Sequence, residues 1–139
     1  MGFQFVEDMA IADVAFRATG KDLTELFKSA AQAVIESMAN PKTVKPMIVK
    51  KIKKKESTID KLLFEFLEEI IYLKDKDAMV FHDIDVKVDE KKLELKATLR
   101  GDKIKPTEQE LHQDVKAVTM HYWLIEKEKE WKATVVLDI

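Results

Sequence analysis

Cysteine is absent from the chain and glycine occurs three times in 139 residues. The first absence excludes disulfides and thiolate ligands, so any bound metal must be held by oxygen or imidazole, and it fits a reducing cytoplasm. The second leaves no Gly-rich phosphate loop, and neither a GxSxG elbow nor an HExxH pair occurs. No run of eighteen apolar residues interrupts the sequence, and its first ten residues (MGFQFVEDMA) lack a basic segment leading into an apolar one. Neither a membrane span nor a secretory signal is therefore expected.

Charge of one sign is also lacking. Twenty-four Lys and Arg against twenty-six Asp and Glu give a net charge of −2, so no global positive field is available to hold a polyanion. The local basic run Lys50-Lys51 and Lys53-Lys54-Lys55 alternates with Met47, Val49 and Ile52. That is the pattern of an edge strand whose lysines discourage pairing with other chains; a nucleic-acid patch is the competing reading.

What is present in quantity is apolar side chains, 46% of the total, with 36% charged: enough for one core in one domain, residues 1–139. Residues 14–19 (VAFRAT) alternate and end at Gly20, after which Asp22 and Glu25 form a capping-box pattern. Leu23, Leu26, Phe27, Ala30, Val34 and Met38 then share one helical face, and the helix is expected to end near Ala39-Asn40-Pro41. A second helix, from about 58 to 74, is marked by Ser57 as cap with Asp60 behind it and by the stripe Ile59, Leu62, Leu63, Phe66, Leu67, Ile70 and Ile71.

The remainder reads as strands. Ile84, Val86 and Val88 alternate up to a turn at Asp89-Glu90, and Leu93, Leu95, Ala97 and Leu99 alternate up to Gly101, a hairpin with one buried face. Residues 103–113 have no period and contain a proline, which predicts a loop with room for one helical turn. Val115 to Ile125 and Trp131 to Ile139, joined by the charged turn Glu126–Glu130, predict a closing hairpin. Two helices, each with a single apolar stripe, among about seven strands predict an α/β two-layer sandwich, with the helices on one face of a mostly antiparallel mixed sheet.

Few residues stand out chemically. His82, His112 and His121 lack metal-ligand spacing; the first two read as surface residues, and His121, in an apolar strand, reads as a structural residue or as a proton donor or ligand. Lys116 sits between Val115 and Ala117 and should face away from them, a solvated position. Asp138 stands one residue from Ile139, so its carboxylate and the terminal one can share a small space; with Asp13, another acid in an apolar stretch (AIADVAF), a hard-cation site is conceivable beside the plainer reading of solvated strand ends.

The order of segments adds to this. VKAVTMH at 115–121 followed by ATVVLDI at 133–139 resembles the paired C-terminal motifs of the archease family. IADVAFRATG with DLTELFKSAAQAVIESM resembles the family's opening strand-Gly-helix segment, and LLFEFLEEIIYLKDKDAMVFHDIDVKV its second helix and following strand. The resemblance implies a cytoplasmic cofactor protein rather than an enzyme, one that helps an RtcB-type RNA-splicing ligase become guanylylated at its histidine and turn over repeatedly in tRNA splicing. It also implies a divalent metal, calcium first, with magnesium or manganese as alternatives, on the positions matching the family's ligands: Asp13, Asp138 and Ile139. Lys116 matches the lysine associated with activity in the family's VKA motif.

The chain departs from the family where an acid-His-Thr-Ala-Asp run is replaced by Ala10-Ile11-Ala12-Asp13, with Glu7 and Asp8 shifted by a residue, and where Gln109-Glu110 stands for a His-Glu pair. The aspartate pair is kept. RNA is expected to meet the protein only through the ligase. The competing functions are a stand-alone RNA-binding or chaperone-like module, using the lysine run and the final hairpin, and a metal-dependent hydrolase, which lacks a general base beside the proposed metal.

Overall fold

The computed structural model describes residues 2–7 and 13–139. Along the chain run β1 (Gly2–Val6), β2 (Asp13–Gly20), α1 (Leu23–Met38), a one-turn 3-10 helix (Pro41–Thr43), β3 (Ile48–Lys55), α2 (Ile59–Asp77), β4 (Met79–Asp89), β5 (Glu94–Lys103), β6 (Ala117–Lys127) and β7 (Trp131–Asp138). β1 precedes the first element that periodicity marks.

α1 starts where expected. Asp22 accepts the Glu25 N–H at 2.8 Å, while the Glu25 carboxylate accepts from Lys21 at 3.0 Å, one residue earlier than an ideal capping box. Gly20 is required just before it, because a Cβ there would strike the Leu26 backbone nitrogen and lie 2.7 Å from the Glu25 carbonyl carbon. All six stripe residues of α1 are buried. In α2 the cap is Thr58 rather than Ser57, its hydroxyl accepting from Lys61 at 3.1 Å, and the helix runs on to Asp77. No breaker stands at 74; the stop comes at Ala78, which takes the left-handed conformation at φ 48°.

The helices pack against sheet as expected, but the strands divide between two sheets, β1-β2-β7-β6 and β3-β5-β4, and every recorded pair is antiparallel. α1 lies on β2, β1 and β4, and α2 on β3 and β6, so the helices join the sheets around one apolar cluster. Phe27 of α1 stacks on Phe66 of α2 with ring centres 6.0 Å apart; each ring is fully buried, a contribution of about 2–3 kcal/mol apiece before ordering costs. β3 is an edge strand: Ile52 enters the core, and Lys50 and Lys54 reach α2 at Asp77 (3.1 Å) and Glu69 (3.2 Å).

The final hairpin is less regular than its pattern. β6 begins at Ala117, and its register with β7 jumps between Thr119, opposite Val136, and Leu124, opposite Thr134. Tyr122 in this bulge has φ 56°. The bulge lets Trp123 turn back to Phe64, ring centres 5.5 Å apart, and donate to Asp60 at 3.1 Å. Residues 103–113 form a loop with a single turn, the Glu108 and Gln109 N–H groups donating to the Lys105 carbonyl at 3.0 and 3.1 Å. Beyond it the N–H groups of His112 and Gln113 donate to the Met38 and Ser37 carbonyls at 2.8 and 2.9 Å, and Asn40 donates to Glu110 at 2.8 Å, closing the C-terminal end of α1.

Candidate metal centre

β2 and β7 are the two middle strands of the four-stranded sheet, so the early and late parts of the chain lie side by side. Along them Val14, Phe16 and Ala18 and, opposite, Val135 and Leu137 face the core. Alternation sends Asp13 and Asp138 to the other face, where they are direct cross-strand partners. Asp13 is half-buried and Asp138 exposed, and among the described residues neither forms an ion pair.

Two like charges directly opposite repel unless a cation lies between them. The donor set fits a hard ion: oxygen only, on an accessible strand end. The side chains alone are too few, since no group of three or more His, Asp or Glu among the described residues is arranged to hold a metal. A third donor must be main-chain, solvent or a partner's. Ile139, the residue after Asp138, rests its side chain against the core.

Lys116 lies just ahead of β6 and is exposed; its N–H donates to the Asp138 carbonyl at 2.7 Å. Its position depends on a residue that periodicity does not single out. Lys74 falls three and four residues beyond Ile71 and Ile70, on the apolar stripe of α2, and is only 5% exposed. Its ammonium donates to the Val115 carbonyl at 2.6 Å and Asp114 Oδ1 at 2.7 Å, and pairs with Asp75 at 2.9 Å. Burial pulls the Lys74 pKa down, but its bonds to Asp114 and Asp75 outweigh that and hold it above the ordinary lysine value. The same contact lowers the Asp114 pKa. A lysine continuing an otherwise apolar stripe is the signal that could have found it.

Of the two histidines expected at the surface, His112 is exposed and His82 is not. His82 is half-buried, with Nδ1 on the Pro41 and Val44 carbonyls at 3.1 and 2.7 Å. His112 lines a cavity of about 350 Å³ with Asp13, Glu7 and Glu36, but both its nitrogens are engaged, by the Glu36 carbonyl at 2.6 Å and Glu110 at 2.8 Å. The Glu36 carbonyl, then Glu110, raise its pKa, and with both nitrogens engaged it is not a spare ligand. His121 is exposed in the β6 bulge, remote in register from the aspartate pair. Residues 8–12, where the sequence departs from the acid-His-Thr-Ala-Asp run, lie outside the described residues. Among the described residues no helix is long and apolar enough to cross a membrane.

Comparison with known proteins bears on the family and the fold. The chain is 35% identical to the archease of Sulfurisphaera tokodaii over 138 residues, 99% of this chain and 98% of that protein. It is also 35% identical to the archease of Pyrococcus abyssi over 132 residues, 92% and 93% of the two chains. The solution structure of a Methanobacterium thermoautotrophicum protein superposes with a TM-score of 0.83 at 33% identity, covering 99% of each chain. The model of the Archease protein family matches residues 3–139, and on this match the chain belongs to the archease family.

Proposed function

We propose that this protein is an accessory activator of an RtcB-type RNA-splicing ligase, promoting guanylylation of the ligase and its multiple turnover in tRNA splicing, and is not itself an enzyme. The observation that carries the reading is the cross-strand pairing of Asp13 with Asp138, which brings two acids from opposite ends of the chain to one exposed sheet end beside Lys116. Family membership supports the partner class.

Asp13, Asp138 and the terminal carboxylate of Ile139 hold a divalent ion, calcium before magnesium or manganese, because hard oxygen donors on an open strand end suit a cation tolerant of irregular geometry. When bound, that ion supplies the charge compensation without which an acidic tip would repel nucleotide phosphates. Lys116 adds a second positive group on the neighbouring segment, held there through the Lys74–Val115 contact. Such a protein without cysteine works in the cytoplasm, and the tip is the surface it presents to the ligase.

The test is ligation with RNA in excess over the cognate ligase. The expected result is a reaction limited to about one product per ligase without this protein and many with it. Asp13→Ala and Asp138→Ala are each expected to abolish the gain while circular dichroism stays unchanged, because neither side chain fills the core. A folded, fully active single variant sinks the metal centre; no gain from the unmodified protein sinks the activator reading.

A further inference from the structure

On the outer face of the three-stranded sheet the charges are arranged in cross-strand rows. Arg100 meets Asp83 and Asp85 at 3.2 Å each, and at the other end Lys55 meets Glu94 at 3.5 Å. The row between breaks the pattern: Lys53, Lys96 and Lys87 are direct partners across all three strands. Lys51 stands two residues along β3 on the same face. All four are exposed, and none forms an ion pair among the described residues.

Protection of a sheet edge accounts for the lysines of β3 but not for Lys96, which is on the central strand. Like charges directly opposite destabilise a sheet, and on either side of this row the outer face pairs acid with base, Glu94 with Lys55 and Asp83 and Asp85 with Arg100. The depression at the β4–β5 turn, about 630 Å³, continues the basic surface, adding Lys91 and Lys92 to Lys87 and Lys96. Of the three acids there, Glu94 pairs with Lys55, while Asp89, capped by the main-chain N–H groups of Lys91 and Lys92, and Glu90 keep their charge beside the four lysines.

We infer that this face holds the phosphate backbone of RNA, a contact of the protein's own and separate from the aspartate tip. Several ammoniums spread over neighbouring strands match a ligand carrying several anions in series, and long flexible stems suit sequence-independent contact. Magnitude sets its use. Each single-strand phosphate contact contributes about 0.7 to the slope of log affinity on log salt, so four contacts weaken binding by about 300-fold between about 20 mM and about 150 mM salt. The contact therefore steadies RNA that another protein already holds and does not capture it alone. The inference rests on sheet geometry and stands or falls apart from the ligase reading.

The test uses a fluorescein-labelled single-stranded RNA of mixed sequence and the full protein, followed by anisotropy across a salt series. The expected result is binding at low salt with a slope of about −3, and loss of that binding in K53Q/K87Q/K96Q, whose slope falls toward zero. Relief of the like-charge row should leave this variant at least as resistant to heat as the parent, which separates lost contact from lost fold. Should the triple variant misfold, K96T alone carries the test, with a slope shallower by about 0.7. Absence of binding at low salt, or equal binding by the folded variants, overturns the inference. If the variants instead lose ligase stimulation at unchanged RNA affinity, the face meets an acidic protein surface and the RNA assignment is equally overturned.

Discussion

At the scale of single residues, Lys74 is where burial and chemistry meet. An ammonium carried into the core boundary must be neutralised, and here a main-chain carbonyl and two aspartates do it. The partners are not equivalent. Asp114 and Asp75 are 80% and 60% exposed, so water screens them, whereas the bond to the Val115 carbonyl is buried. Lys74→Met, which keeps most of the stem's volume, is therefore expected to cost about 1–3 kcal/mol by leaving that carbonyl without a donor, and Asp114→Asn less than about 1 kcal/mol. Urea melts of the two variants give the comparison. Lys74→Met should also lower ligase stimulation, since it frees the segment that places Lys116 beside Asp138. Equal costs for the two substitutions would contradict this ranking.

At the scale of elements, α2 ends on a residue ill suited to its backbone. Ala78 donates its N–H to the Lys74 carbonyl while held at φ 48°, where an L side chain is penalised by roughly 1–2 kcal/mol and glycine is not. Ala78 is exposed and its carbonyl already accepts from Ile104, so removing the methyl leaves both bonds in place. Ala78→Gly is expected to stabilise the protein by about 0.5–1 kcal/mol after glycine's greater freedom in the unfolded chain is set against the relief, a rise of a few degrees in melting temperature by calorimetry. An unchanged or lower melting temperature would show that the left-handed stop is not strained. The same helix shows how far sequence reaches. Its apolar stripe is a local property and was legible to the residue, but its end depends on a backbone conformation that no residue type there announces. The β6 bulge is alike: Val118 and Trp123 both face inward only because the strand slips between them, and the pull on Trp123 comes from Phe64 and Asp60, far away in sequence. β1 carries two phenylalanines and no clean alternation of burial, so it left little to read. For the site, the two aspartates and Lys116 were legible through resemblance; that Asp13 and Asp138 are neighbours is a matter of strand order, which periodicity does not encode.

At the scale of the whole molecule, the consequence of placing β2 and β7 together is that the two ends of the chain are unequal with respect to the candidate centre. Gly2 pairs with Thr19 at one end of β2, whereas Asp13 pairs with Asp138 at the other. Six residues of strand between Asp13 and Thr19 span about 20 Å, so a tag before Met1 leaves the sheet far from the aspartates. Residues appended after Ile139 instead begin beside Asp138, convert the terminal carboxylate into a neutral amide and occupy the space in which an ion would sit. The two tags are therefore expected to differ: titration calorimetry with calcium and with manganese should show near-parental affinity for the N-terminally tagged protein and a loss of tenfold or more for the C-terminal extension, about 1.4 kcal/mol at least. Ligase stimulation should follow the same order. Equal affinities would remove Ile139 from the centre and require Asp13 and Asp138 to complete their coordination with water or with groups supplied by the ligase.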